Sequence, residues 1–240
     1  MQGIGREYNT LLEIGPGQGV LTQFLYERYK ENLHLVEIDK DLVPNLKKNY
    51  PIIAEQVYEK DFLELNLGSI FKEQVGIIGN FPYNISSQIL FTIVENRALV
   101  PEMVGMFQRE VAQRVISKPG NKVYGLLSAW LQVFYDCEYL FTVNEGSFNP
   151  PPKVKSGVIR LTRKKDFDKI NVDANLLLQV IKQAFGQRRK TLRNALKAFS
   201  YAYIYVDPEI LDRRAETLSH QDFIELARVF EENKPLPTLP

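Results

Sequence analysis

Two segments contain residues whose types and spacing could do chemistry: Glu13-Ile14-Gly15-Pro16-Gly17-Gln18-Gly19 and Gly79-Asn80-Phe81-Pro82-Tyr83-Asn84. In the first, Gly15, Gly17 and Gly19 let a backbone turn tightly and approach a ligand closely. Glu37 lies 18 residues after Gly19, and a carboxylate there, beside Ile38, can accept both hydroxyls of a ribose. Asp61-Phe62 could bond an adenine amino group and cover its ring. Glu13 sits inside an apolar run, where a carboxylate is costly unless partnered. It fits there if it accepts hydrogen bonds from the glycine loop or faces a cationic cofactor such as the amino group of a methionine moiety. The loop alone leaves two other readings open, a strand-turn-helix corner with incidental glycines and a dinucleotide site. Against the dinucleotide stand the G-x-G-x-G spacing, where G-x-G-x-x-G is usual, and the acid in the preceding strand.

The second segment has the pattern [N/D]-x-P-Tyr and is the more specific of the two. The N6 lone pair of adenine is delocalised into its ring and is a poor nucleophile. The Asn80 side-chain carbonyl and the Pro82 backbone carbonyl could accept its N–H groups, aim the lone pair at a methyl carbon and favour charge developing on nitrogen. A methyl sulfonium has a good leaving group, so no strong base is needed. Tyr83 could stack on an extruded base, with Phe148, before the stiff Pro150-Pro151-Pro152 turn, as the second wall. The alternatives are a plain turn at Pro82 and Asn84, with Tyr83 and Phe148 in the core.

The elements around these segments alternate. Thr10–Ile14, His34–Ile38, Val75–Asn80 and Met103–Phe107 read as strands, and Ile52 to Val57 is a third apolar segment before Asp61. Val20–Tyr29 (with Val20, Leu21, Phe24, Leu25 and Tyr29 near one face), Asp41–Tyr50, Ser86–Glu95 and the stretch from Glu110 read as helices. This βαβα order predicts an α/β, Rossmann-like parallel sheet with helices on both faces. Leu126–Tyr135 reads as an apolar helix, Tyr139–Val143 and Gly157–Thr162 as two further strands, Arg163–Asp168 as a charged linker, and Val172–Glu232 as mainly helical. The expected organisation is a catalytic domain over 1–165 and a small all-helical domain over 166–240.

The chain has 240 residues, 45% hydrophobic and 25% charged, with a net charge of +1. These values suit a soluble globular protein. No apolar run approaches a membrane span, and Met1–Glu7 lacks the apolar core of a signal peptide, so the expected location is the cytoplasm. The single cysteine, Cys137, sits among apolar and aromatic residues and reads as an inert thiol. No Cys/His cluster suggests a metal. Positive charge is concentrated at Arg188, Arg189, Lys190, Arg193 and Lys197. If one helix continues through Gly186, Lys182, Arg189, Arg193 and Lys197 share a face, opposite Ile181, Phe185, Leu192, Leu196 and Phe199. A solvated face is the plain reading and phosphate contact the sharper one; Lys153, Lys155, Arg163, Lys164 and Lys165 could extend it.

Together these residues resemble the small-subunit ribosomal RNA adenine dimethyltransferases of the KsgA type. The resemblance runs through Leu11–Gly17, Val36–Asp39, Gly79–Ser86, Phe107–Ala112, Phe148–Val154 and Ala184–Leu192, and so spans almost the whole chain. It implies N6,N6-dimethylation of two adjacent adenines in a hairpin loop near the 3′ end of small-subunit rRNA, with S-adenosyl-L-methionine as methyl donor. The small ribosomal subunit is the implied partner, ribosome biogenesis the implied role and a monomer the expected state. By matching position, Gly15, Glu37, Asp61 and Asn80 would contact S-adenosylmethionine, and Tyr83 and Phe148 would sandwich the base. The family carries a Gly-Gln-[Asn/His]-Phe-Leu motif before the first strand that closes over the site. Nine residues precede Thr10 here without that motif, which implies a pocket lacking part of its lid. The alternatives are an Erm-type large-subunit rRNA methyltransferase, a non-catalytic ribosome assembly factor, and methylation of DNA adenine or protein glutamine.

Overall fold

The computed structural model describes residues 8–147 and 154–235. The strands are β1 (Thr10–Ile14), β2 (Leu33–Glu37), β3 (Val57–Glu59), β4 (Val75–Asn80), β5 (Glu102–Gln108), β6 (Tyr135–Val143) and β7 (Ser156–Arg163). The helices are α1 (Thr22–Tyr29), α2 (Val43–Asn49), α3 (Leu67–Ile70), α4 (Ser86–Glu95), α5 (Arg109–Ile116), α6 (Leu126–Phe134), α7 (Ala174–Gly186), α8 (Leu192–Ala195), α9 (Pro208–Asp212) and α10 (His220–Glu232). The strands form one sheet in the order β3-β2-β1-β4-β5-β7-β6. β1 pairs in parallel with β2 and β4, β4 with β5, and β5 pairs antiparallel with β7. The strand interiors are buried on both faces, as in Leu11, Leu12, Leu33, Leu35, Val75 and Ile77, which explains their unbroken apolar runs. The strand order reverses between β1 and β4. In an open α/β sheet this is where ligands bind, beyond the carboxyl ends of the strands.

The helical reading of Val20–Tyr29 needs correction. The helix begins at Thr22, and Val20 and Phe24 are 70% and 49% exposed. Thr22, a polar residue, turns inward with Leu25. β2 ends at Glu37, so Ile38 lies beyond the strand. The segment read as the third apolar run is a 3-10 turn at Pro51–Gln56, and β3 is only three residues long. The strand read as starting at Tyr139 begins at Tyr135, directly after α6.

The expected division at residue 165 is also corrected. One compact unit holds the chain up to Gln113 together with Asp136–Arg163; the other holds Arg114–Tyr135 and the chain from Lys164. The reason is α6. Its buried set, Leu127, Ser128, Ala129, Trp130, Leu131, Val133 and Phe134, runs nearly all round the helix, and such a helix must be covered on every side. It packs with α7 and α10. Asp173 caps α7 and Ser219 caps α10, each accepting a backbone N–H through its side chain. Phe185 and Phe223 (ring centroids 5.7 Å apart) and the stacked Phe199 and Phe230 (4.7 Å) fill this unit.

Candidate active site

The glycine loop follows β1 at the switch point. Gly15, Gly17 and Gly19 have φ of +65°, +57° and +82°, a region that L side chains rarely adopt. The Gly15 N–H donates to the Val36 carbonyl at 2.9 Å, and the Gly19 N–H to the Pro16 carbonyl at 2.9 Å. A Cβ at Gly17 would meet nothing within 4 Å, so the middle of the loop faces open space.

The acids take other partners than the sequence suggested. Glu37, not Glu13, receives the glycine loop: the Gly17 N–H donates to its Oε2 at 2.9 Å, and the N–H groups of Ile38 and Asp39 donate to Oε1 at 2.9 and 3.0 Å. A carboxylate has about four acceptor sites, and three are filled. Glu13 is 2% exposed and accepts the Thr22 hydroxyl at 2.7 Å. Thr22 was not singled out in the sequence; the only signal for it is that a buried acid requires a nearby donor. Burial raises the Glu13 carboxyl to about 7, with the neighbouring Glu37 adding to the rise and the Thr22 hydroxyl opposing it.

This shift has a sign. The folded chain holds a proton on Glu13 between its ordinary value of 4.5 and about 7, where the unfolded chain has released it. Stability therefore falls as pH rises through that window. Glu13→Gln is expected to match the parent in thermal stability at pH 5 and exceed it by about 3 kcal/mol at pH 8. Melting curves at the two pH values check this, and a constant difference between the variants would mean that Glu13 does not titrate in that window.

Asp61 follows β3 and uses Oδ1 to accept the Leu63 N–H at 2.9 Å, capping a short 3-10 turn. Phe62 is 3% exposed and packs inside. The ring cover expected of it is thus not presented to the site. Ile38, 64% exposed beside Glu37, offers an open apolar surface instead.

The Asn-Phe-Pro-Tyr loop follows β4. Register pairs Gly79 with Ile14 on β1 and Asn80 with Met106 on β5, so this loop and the glycine loop leave neighbouring strands at the same end. Phe81 is the anchor. Its N–H donates to the Met106 carbonyl at 3.2 Å, and its ring, 1% exposed, lies over Gly79 and Gly105. With Phe81 inward, Asn80 and Pro82 are exposed, and no described side-chain bond occupies the Asn80 amide. The Pro82 carbonyl accepts the Ile85 N–H at 3.3 Å and the Ser86 hydroxyl at 3.4 Å, both longer than a well-formed bond. Tyr83 is half-buried, and its hydroxyl meets the Ser156 hydroxyl at 2.7 Å. Ser156, missed in the sequence, is fully buried at the start of β7. Phe148 and the rest of the proline turn to Lys153 lie outside the described residues. Among the described residues, no group of three or more His, Cys, Asp or Glu could hold a metal ion.

A sheet of this order, with a glycine loop after β1, an acid ending β2 and an exposed Asn ending β4, defines a Rossmann-like methyltransferase. Residues 4–228 match the family model of the ribosomal RNA adenine dimethylases, and the chain belongs to that family. It is 49% identical to the ribosomal RNA small subunit methyltransferase A of Cytophaga hutchinsonii, over 92% of this chain and 86% of that one. Against the protein of the same name from Bacteroides fragilis it is 46% identical, over 96% and 85%. Its structure is similar to a dimethyladenosine transferase from Plasmodium falciparum, with a TM-score of 0.78 at 26% identity, covering 93% of this chain and 90% of that one. The 23S rRNA methyltransferase ErmE shares the fold, with a TM-score of 0.59 at 22% identity over 91% of each chain.

Proposed function

We propose that the chain transfers methyl groups from S-adenosylmethionine to N6 of adenines in small-subunit rRNA, dimethylating two adjacent bases. The carrying observation is the pairing of Gly79 with Ile14, which brings the Asn-Phe-Pro-Tyr loop beside the glycine loop. The identity to small-subunit methyltransferases supports the choice of RNA.

The residues fit the cofactor. The open space over Gly17 admits a ligand against the backbone. Glu37 suits ribose hydroxyls, which must compete with the Gly17 N–H for Oε2. Ile38 can cover one face of an adenine ring, and Asp61 has a second carboxylate oxygen for its amino group. Glu13 can pair with a cationic amino group, which would favour its ionised form. When bound, S-adenosylmethionine supplies a methyl group on a positively charged sulfur that departs neutral.

The chain's own part is to hold and polarise the base. Asn80 Oδ1 and the Pro82 carbonyl accept the two N–H groups of N6, which directs the lone pair out of the ring plane. These oxygens also favour positive charge developing on nitrogen. Once N6 has taken the methyl group, the positive charge on nitrogen would be relieved by loss of one N–H proton to water. Tyr83 stacks on the base, with Phe148 as the proposed opposite wall. Arg189, Lys190 and Lys197 supply phosphate contacts from the second unit.

Ser156 sets the Tyr83 ring. The ring is held at its hydroxyl by Ser156, and the residue's backbone by the Ser86 hydroxyl, which donates to the Tyr83 carbonyl at 3.0 Å. Tyr83→Phe and Ser156→Ala should each lower kcat/KM for RNA about fivefold, and the double variant no further. Additive losses would mean that Ser156 acts independently of Tyr83.

Substrate competition tests the choice of RNA. Unmodified small subunits should take nearly all the label when mixed with large subunits, DNA and a protein with accessible glutamines. Preferential labelling of large subunits would replace the proposal with Erm-type activity.

A further inference from the structure

The five cations at Arg188–Lys197 are not equivalent. The Arg188 guanidinium donates to the Lys122 carbonyl at 2.7 Å, and its Nε lies 3.8 Å from Glu216 Oε2. That oxygen is buried without a hydrogen-bond partner, so Arg188 is its nearby countercharge. Arg193 is paired with Asp212 at 3.0 Å. Arg189, Lys190 and Lys197 are exposed, with no ion pair among the described residues. The helix does not continue through Gly186: α7 ends there and α8 starts at Leu192, so Lys182 is on a different helix from Arg193.

Arg188 also fixes a second basic element. The connection between α5 and α6, Ser117-Lys118-Pro119-Gly120-Asn121-Lys122-Val123-Tyr124-Gly125, contains two lysines and no acid. It is bound to the 188 segment through the Lys122 carbonyl, and to the 216 segment through the Gly120 N–H, which donates to the Glu216 carbonyl at 2.7 Å. The loop is closed on itself by the Asn121 N–H to the Lys118 carbonyl (3.2 Å), the Tyr124 N–H to the Asn121 carbonyl (3.1 Å) and the Val123 N–H to Asn121 Oδ1 (3.1 Å). Lys118 and Lys122 are exposed, as is Arg214, two residues before Glu216, and none has an ion pair among the described residues.

We infer that the α5–α6 loop is an RNA-docking element, in which Lys118 and Lys122 join Arg189, Lys190 and Arg214 on the phosphate backbone while Arg188 serves as the clamp. The inference rests on the RNA methyltransferase reading. A pre-ordered loop loses little entropy when phosphates engage it. The loop exposes Pro119 and Val123 but no aromatic, a composition that suits phosphate contact better than a protein hot spot.

The test measures binding of undermethylated small subunits to the full chain across a salt series. Lys118→Ala/Lys122→Ala should weaken binding about tenfold at 0.15 M salt, reduce the slope of log K against log salt by roughly 1.5, and leave the melting temperature unchanged. Arg188→Ala should lower the melting temperature. Arg189→Glu is the reference for the RNA reading itself. Weak binding by Arg189→Glu with an unchanged slope for the lysine pair would overturn the loop inference and leave the reading intact. Unchanged affinity in all these variants would overturn both.

Discussion

Tyr83→Ala should lower methyl transfer to small subunits about a hundredfold while leaving S-adenosylmethionine affinity within about twofold. Tyr83 belongs to the loop after β4, downstream of Asn80, and its ring is held by Ser156 at the hydroxyl and its backbone by the Ser86 contact. Glu13, Gly17 and Glu37, the groups assigned to the cofactor, lie on and after β1 and β2 and bond among themselves and Thr22, not to Tyr83. Stacking is worth about 1–3 kcal/mol per base, and a base that is no longer flat against the ring also loses its alignment with Asn80. Titration calorimetry for the cofactor and single-turnover transfer for the reaction separate the two effects. Equal loss of both would show that Tyr83 supports the pocket as a whole.

Gly105→Ala should destabilise the first unit by about 3 kcal/mol, close to the upper range for overpacking. A Cβ there would sit 2.2 Å from the Phe81 ring and 2.8 Å from the Phe107 ring. The Phe81 ring also lies close against Gly79, where a Cβ would be 2.6 Å from it. Relief would require Phe81 to leave its place, and Phe81 is what keeps Asn80 and Pro82 exposed, so activity should fall together with stability. Gly186→Ala is the control. Its Cβ would meet nothing within 4 Å at the end of α7, and it should be neutral or slightly stabilising. Thermal melts of both variants decide the matter; equal melting temperatures would mean that the Phe81 seat is soft.

The site was legible where chemistry restricts residue type. Glycine is favoured at the three positive φ values after β1, and the Asn-Phe-Pro-Tyr loop combines an amide, a stiff turn and an aromatic in one short run. β4 and α4 matched their expected bounds because both are long enough for periodicity to speak. Partners made by folding were not legible. Thr22 and Ser156 are ordinary hydroxyl residues, and only the approach of Glu13 and Tyr83 gives them a role. Phe62 looked like an open ring because it follows an acid, yet it is core. Arg188 and Arg193 looked equivalent to Arg189, because their acids, Glu216 and Asp212, are 28 and 19 residues away in the chain. α6 was legible as an apolar helix, but the same distance effect hid its place in the second unit, where α7 and α10 cover it.

The most direct measurement is transfer of labelled methyl groups from S-adenosylmethionine to small ribosomal subunits lacking the modification, with the modified nucleosides mapped by mass spectrometry. The account predicts N6,N6-dimethyladenine at two adjacent positions near the 3′ end of the small-subunit rRNA, abolished by Asn80→Ala. Particle binding without transfer, or label on any other nucleoside, would contradict it.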